Sequence, residues 1–424
     1  MRRLVAVVGI LILVGAIGTA YYESTHRFGG SVLGTTTEFD RTRTVPPPQS
    51  RSLVSPMFGG VAQHLHVGVG TVRPPFRRDW VTGGVSLIEF PPAIGFRYLY
   101  YASLNGNLIA VSSRNGRRLW TVHVGRCQAA SPGVNRLGRG SVFETFLNRQ
   151  PCTRAAVDTT DGEVLAVAAG PSHSVRWRKR IGASETSPTI VGSRIYVGDA
   201  EGNVYSLRGL NGETQWTFHA AGAVKGAIAY DRGRIFFGDY DGRLYALRAS
   251  DGKLVWRSQS NRDWFGGHGQ FYSTPSVAYS RIYLGSTDGH VYSFGEQTGK
   301  LRWSYHTGGF VYGSPAVWRN RVFVGSYDHT FYALDAATGG LLWKFRANGP
   351  ISGSATVVDG IVYFATLKRR TYGLDARTGK VVWTYPDGSF TPVVTDGKRL
   401  YVVGWGKVYA FSPLNRFHAP SSGS

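Results

Sequence analysis

Cysteine is almost missing from this chain: 424 residues hold two, Cys127 and Cys152, alongside only two Met. Two cysteines exclude a disulfide-framed miniprotein and a zinc site built from cysteine alone. Acidic residues are also scarce, 26 against 48 Lys and Arg, which leaves a formal charge of +22. Charged residues of both signs make up 17% of the chain and hydrophobic ones 42%, a balance that excludes intrinsic disorder. There is no phosphate loop, no zinc-ligand spacing and no nucleophile elbow, so nothing in the motifs supports kinase or hydrolase chemistry.

Glycine and aromatic residues are abundant instead: 56 Gly, 23 Tyr, 22 Phe and 11 Trp. Many turns and many rings suit short strands packed face to face. The stretch Tyr332 to Trp343, YALDAATGGLLW, shows the pattern, and Tyr372 to Trp383, YGLDARTGKVVW, repeats it forty residues later. Earlier copies are YSFGEQTGKLRW (Tyr292 to Trp303), YALRASDGKLVW (Tyr245 to Trp256) and YSLRGLNGETQW (Tyr205 to Trp216). Each reads as strand, tight turn and strand, with a Gly supplying the positive φ of the turn.

Aligned on Trp80, Trp120, Trp177, Trp216, Trp256, Trp303, Trp343 and Trp383, the chain makes eight cycles from Trp to the next turn. Those turns lie at Gly106, Gly162, Gly202, Gly242, Gly289, His329, Arg369 and Gly406, and the separation is 26 in four cycles. Within a cycle a small-residue strand such as Ser314 to Val317 comes first, then RVFVGS, then the Tyr-Ala-Leu strand, then the Trp strand. Four strands per period of about 40 residues is one propeller blade. The small-residue strand belongs at the axis and the Trp strand outermost, its indole wedged against the next blade. The last cycle lacks a Trp strand and the first opens on an orphan one at Trp80. The expected fold is therefore all-β, an eight-bladed β-propeller closed by pairing of its N- and C-terminal strands, which leaves no open edge.

Four segments follow. Leu4 to Tyr22 is uncharged and follows Arg2 and Arg3; as a helix it spans roughly 28 Å, enough to cross the hydrocarbon of a membrane. The positive flank keeps the N-terminus cytoplasmic and exports the remainder, giving residues 1–22 as a signal anchor. A signal peptide cleaved near Gly18-Thr19-Ala20, releasing a secreted or periplasmic protein, is the alternative; lipidation is excluded because no Cys follows the run. Residues 23–75, rich in Gly, Ser, Thr and Pro, read as a spacer that lifts a domain off the membrane, although Val61 to Val72 alternates enough for a strand. Within it His64 and His66 share a strand face without a third metal ligand nearby. Residues 76–415 form the propeller, and 416–424 a loose tail.

The copies Ala333 to Trp343 and Gly373 to Trp383 resemble the Ala-x-Asp-x-x-Thr-Gly-x-x-x-Trp docking motif of the quinoprotein-type (PQQ-like) eight-bladed propellers. Ala333, Asp335, Thr338, Gly339 and Trp343 match it, as do Asp375, Thr378, Gly379 and Trp383. The resemblance implies one of two branches. The first comprises alcohol and glucose dehydrogenases that hold pyrroloquinoline quinone and Ca²⁺ on the propeller axis. The second is a non-enzymatic group similar to the β-propeller lipoprotein of outer-membrane assembly. An enzyme of the first branch needs carboxylate and amide ligands and an acidic base. Glu185 is the one acid near the inner strands, and the two cysteines are not adjacent. The expected molecule therefore has no catalytic, cofactor or metal residues. It is a monomeric, membrane-tethered scaffold on the extracytoplasmic side of a bacterial plasma membrane. Its alternative is a PQQ- and calcium-dependent quinoprotein dehydrogenase.

The insertions carry the candidate sites. Cycle two runs 42 residues and holds Cys127 and Cys152, which in an exported protein form a disulfide. Cycle five adds NRDWFGGHGQFY (Asn261 to Tyr272), where Trp264, Phe265 and His268 have the composition of a partner-binding loop. Trp264 and Phe271 folding back over the ring mouth is the other reading of that insertion. In cycle seven Lys368, Arg369 and Arg370 replace the Asp-Gly turn, and Arg176, Arg178, Lys179 and Arg180 make a second basic spot. Expected partners are an envelope protein or an anionic wall polymer, with nucleic acid excluded by export.

Overall fold

The computed structural model describes residues 30–43, 53–84, 86–147, 152, 159–261, 268–391 and 393–414. Eight sheets stand around one axis, numbered as blades in chain order from their inner strands. Blade 1 runs over 93–123, blade 2 over 133–181, blade 3 over 189–219, blade 4 over 229–259, blade 5 over 276–306, blade 6 over 316–346, blade 7 over 356–385 and blade 8 over 394–413. In blades 1 to 7 the strands run in chain order from the centre outwards. Blade 6 is typical: Ala316–Trp318 innermost, then Arg321–Gly325, Thr330–Asp335 and Leu341–Arg346. Thr330–Asp335 lies between neighbouring blades on both faces and is buried almost throughout, whereas Leu341–Arg346 alternates with solvent. No α-helix occurs among the described residues; one 3₁₀ turn spans Leu137–Arg139. The apolar run 4–22 lies outside them, and no described helix is long and apolar enough to cross a membrane.

The ring closes as the orphan Trp strand requires. Phe76–Gly83 pairs antiparallel with Lys407–Pro413, placing Trp80 opposite Ala410 and Val81 opposite Tyr409. Blade 8 thus takes its outer strand from the N-terminal side and its other three, Val394–Thr395, Leu400–Val403 and Lys407–Pro413, from the C-terminal side.

Neighbouring blades are joined by the repeat motif. The indole N–H of Trp303 donates to the carbonyl of Ala336 at 3.0 Å, and Trp177, Trp216, Trp256 and Trp343 make the equivalent bond to Gly209, Ala249, Glu296 and Ala376. The turn Gly lies under that indole. Gly339 has φ of 76°, and a Cβ there would fall 2.7 Å from the Trp303 ring. The Asp of the motif closes the turn, with Asp335 Oδ1 accepting from the backbone of Ala337 and Thr338 and from the Thr338 hydroxyl. His329 and Arg369, standing where other cycles have Gly, keep the left-handed backbone at φ 71° and 56°.

The stretch read as a spacer is the main correction. Residues 30–38 lie as a strap on blade 5, with Val32 and Ser304 exchanging backbone hydrogen bonds at 2.8 and 3.0 Å. Arg281, fully buried, donates to the carbonyls of Thr35, Thr37 and Glu38, and Arg43 pairs with the buried Glu296. Leu53–Ser55 adds a fifth, innermost strand to blade 1, and Val67–Gly68 adds a parallel one to blade 7. Between them the chain crosses the axis. Carbonyls of Pro56, Ala62, Gln63, Leu65 and His66 accept from Val134, Tyr230, Val277, Val317 and Val357, the inner strands of blades 2, 4, 5, 6 and 7. Pro, Gly and Ser composition suggested looseness, but these bonds use backbone carbonyls, which leave no side-chain signature.

His64 and His66 sit in this central plug as buried packing groups. His64 Nδ1 is 2.7 Å from the Phe58 carbonyl, and Nε2 is 3.0 Å from both the Thr189 hydroxyl and the Ile228 carbonyl. Burial lowers their pKa values to about 4 for His64 and about 3 for His66. His66 Nε2 has no hydrogen-bond partner.

Candidate functional site at the axial mouth

The plug closes one end of the axis, where the inner strands finish. At the other end, where they begin, a cavity of about 240 Å³ opens between Phe58 of the plug and residues that precede the inner strands. Small residues line its wall, as expected for converging strands, and their hydroxyls are committed to the ring. Ser187, Thr274, Ser314 and Ser354 accept from the backbone N–H of Ser131, Ala227, Thr274 and Ser314, each reaching across to an adjacent or near blade. These hydroxyls tie the blades together at the centre, and none is paired with a base that would make it a nucleophile.

Charge enters the cavity at Glu185, Glu89 and Lys225. Glu185 Oε1 lies 2.8 Å from Lys225 Nζ, and its Oε2 accepts from the Tyr272 hydroxyl at 3.1 Å. Burial, reinforced by the Glu185 charge, holds the Tyr272 phenol well above its ordinary range, so it serves as a neutral donor. Lys225 also sits 4.9 Å over the Tyr240 ring. From there a shelf of aromatic rings runs outward: Tyr240 to Tyr272 at 6.2 Å, Tyr272 to Tyr312 at 5.5 Å, Tyr312 to Tyr327 at 5.1 Å and Phe310 to Tyr327 at 6.2 Å. Phe310 is 49% exposed, as is Trp405, which packs on Phe390 at the same mouth.

Each sequence-derived candidate has a place. Cys127 and Cys152 form the disulfide, with Cα atoms 5.4 Å apart. Trp264 and Phe265 lie outside the described residues. His268 holds the Ser260 carbonyl through Nδ1 at 3.0 Å, and Phe271 is fully buried between blades 4 and 5 instead of covering the mouth. Lys368, Arg369 and Arg370 are exposed; Arg369 Nε is 3.6 Å from Asp387. Antiparallel strand order brings His268 and this basic turn to the end of the ring that carries the cavity. Lys225, Tyr240, Tyr272, Tyr312 and Tyr327 were missed: Lys225, Tyr272 and Tyr312 stand in the links that lead to inner strands, and Tyr240 and Tyr327 occupy a turn position that holds Ala200, Thr287 or Leu367 in other blades. Another missed pattern was readable: the Tyr of the third strand donates to an Asp four or six residues earlier. Tyr205 bonds Asp199 and Tyr245 bonds Asp239, both at 2.9 Å, and Tyr292 and Tyr332 bond Asp288 and Asp328 at 2.5 Å.

The residues present do not fit a quinone and calcium site. Ca²⁺ takes six to eight oxygen ligands, whereas Glu185 is already matched to Lys225 and Tyr272. Among the described residues no group of three or more His, Cys, Asp or Glu is placed to hold a metal ion. The disulfide is absent from the cavity lining.

Residues 104–225, 210–312 and 307–416 each match one family model, that of the outer membrane protein assembly factor BamB. The chain belongs to this PQQ-like, BamB-type propeller family. Among solved structures, BamB from Moraxella catarrhalis is similar at 18% identity and a TM-score of 0.63, covering 78% of this chain and 99% of that one. The quinohemoprotein alcohol dehydrogenase ADHIIG from Pseudomonas putida HK5 superposes with a TM-score of 0.69 at 12% identity, over 89% of this chain and 83% of its own. That of Comamonas testosteroni gives 0.69 at 13%, over 88% and 82%. At such identities the likeness to enzyme and non-enzyme alike is one of fold. No curated protein matches the sequence.

Proposed function

We propose that this member of the BamB-type family is a binding scaffold of the bacterial cell envelope. It is tethered to the plasma membrane by residues 1–22 with the ring on the extracytoplasmic side, and it docks another envelope protein on the aromatic end of the ring. One observation carries the reading: at the axial mouth Glu185 is matched by Lys225 and Tyr272, while the rings of Phe310 and Trp405 stand exposed beside it. Exposed aromatic groups beside a rigid, closed ring have the make-up of a protein hot spot. A cavity built for chemistry would leave a carboxylate or base unmatched and facing the substrate.

The test places a photoreactive side chain at Phe310, Trp405 and, as a control, Leu254 on the outer edge of blade 4. Irradiation in intact cells is expected to give one dominant envelope-protein adduct at the first two positions and none at the third. Identical adducts at all three would sink the proposal. A wall polymer held by the net positive charge is separated by salt: complexes that survive about 0.5 M, where screening acts within a few ångströms, are not of that kind. Added pyrroloquinoline quinone and Ca²⁺ should produce neither an absorbance change nor dye reduction with alcohols or sugars; either result would restore the dehydrogenase reading.

A further inference from the structure

The strap of residues 30–38 fixes where the N-terminal tether leaves the ring. Gly34 lies so close on the outer strand of blade 5 that a Cβ would collide with the Arg302 carbonyl, and its N–H donates to Thr338 O at 2.8 Å. Glu38 pairs with Arg302 and accepts from the Thr298 hydroxyl. The strap is thus bonded down from Ser31 onward, with the Ser31 hydroxyl accepting from His306 N at 3.0 Å. Between Tyr22, the end of the apolar run, and Gly30 there are eight peptide steps, which reach at most about 28 Å when fully extended. The spacer inferred from composition, residues 23–75, would have allowed several times that distance.

The surface at this point is apolar. Val32 is 53% exposed and Leu33 67% exposed, side by side on the strap. The two positions before the repeat Trp continue the patch along adjoining outer edges, with Leu254 and Val255 on blade 4 and Leu341 and Leu342 on blade 6 all exposed. On the far side of the ring the same positions mix charge with apolar groups: Arg78 and Asp79 on blade 8, Arg118 beside exposed Leu119 on blade 1, and exposed Val175 beside Arg176 on blade 2, whereas Val381 and Val382 extend the apolar band onto blade 7. In an eight-membered ring blade 1 is opposite blade 5. Exposed Arg257 and Lys300 border the apolar band, while Glu38 is matched by Arg302.

We infer that the outer edges of blades 4 to 6, with the strap, are the side this chain lays against a lipid bilayer bearing anionic headgroups. The inference rests on the membrane anchor proposed above. Apolar side chains would enter the interface and the flanking cations would meet the headgroups. The axial mouth then opens along the membrane surface, and the Arg-bearing edge of blades 8, 1 and 2 faces away from it.

The full chain, reconstituted into phosphatidylethanolamine and phosphatidylglycerol vesicles, tests this with a fluorophore sensitive to polarity. Both native cysteines are in the disulfide, so single thiols introduced by Leu33→Cys, Leu342→Cys or Arg118→Cys take the label. Headgroup-attached quencher is expected to quench positions 33 and 342 at least threefold more than position 118. Equal quenching at all three, in protein that floats with the vesicles after an alkaline wash, overturns the inference and leaves the anchor standing. Protein that fails to float overturns the anchor reading and this inference together. Leu33→Asp, with unchanged circular dichroism, should also reduce quenching at position 342; no reduction would count against the apolar band.

Discussion

A single glycine shows how much one position in the repeat must satisfy. Gly339 needs a left-handed backbone at φ 76° and must leave room for the Trp303 ring, whose nearest atom would be 2.7 Å from any Cβ. Gly340, next in sequence, has only the Thr338 hydroxyl at 3.4 Å. Gly339→Ala should therefore cost about 2–3 kcal/mol, from the left-handed penalty of a non-glycine residue plus the displaced indole. Gly340→Ala should stay within about 0.5 kcal/mol, as for ordinary surface changes. Urea unfolding midpoints of the two variants check this, and equal losses would refute the docking account. The Trp and Gly spacing was plain in the sequence, since both belong to every cycle. The indole's carbonyl acceptor was not, because Ala336, Ala249 and Glu296 share only a backbone oxygen.

At the scale of one element, the central plug makes folding sensitive to acid. His64 and His66 are completely buried, and burial lowers both pKa values, to about 4 and about 3, from an ordinary 6.5. A base whose folded pKa is depressed binds its proton more readily in the unfolded chain. Its stability contribution is therefore whole above pH 6.5 and is lost as pH falls from there to the folded pKa. For His64 alone the loss amounts to about 3 kcal/mol between pH 6.5 and 4, at roughly 1.4 kcal/mol per pKa unit. The urea midpoint should drop steeply over that window. His66→Leu removes a titrating group and an unpaired ring nitrogen, so the drop should become shallower while stability at pH 7.5 changes by about 1 kcal/mol or less. An unchanged slope would show that the plug is not the acid-sensitive element. The two histidines were visible in the sequence as neighbours on a strand. Their burial came from carbonyl bonds to five inner strands, which no side-chain pattern reports.

For the whole molecule, closure is the property on which the rest stands. Blade 8 is assembled from residues 76–83 and 394–413, so both termini are held in one sheet. A chain ending at Gly404 loses the strand Lys407–Pro413 and exposes the edges of Phe76–Gly83 and Leu400–Val403. Unpaired edges of this kind recruit other chains. The truncated protein should elute as soluble aggregate in light-scattering chromatography, whereas the full ring, in the same detergent, should elute as a monomer. A monomeric truncation with unaltered circular dichroism would show that the seam is dispensable.

By itself the sequence determined the architecture of the repeat. The four-strand period, the eight cycles, the Trp and Gly joints and the sharing of the last blade between the termini all follow from local patterns copied along the chain. The single pair of cysteines needed no geometry either. Tertiary structure decided what occurs once: the strap on blade 5, the plug through the axis, and the matching of Glu185 by Lys225 and Tyr272. These join residues from 40 to over 240 positions apart through backbone carbonyls and isolated loop side chains. No periodicity foreshadows such contacts, because their partners are brought together only when the ring closes.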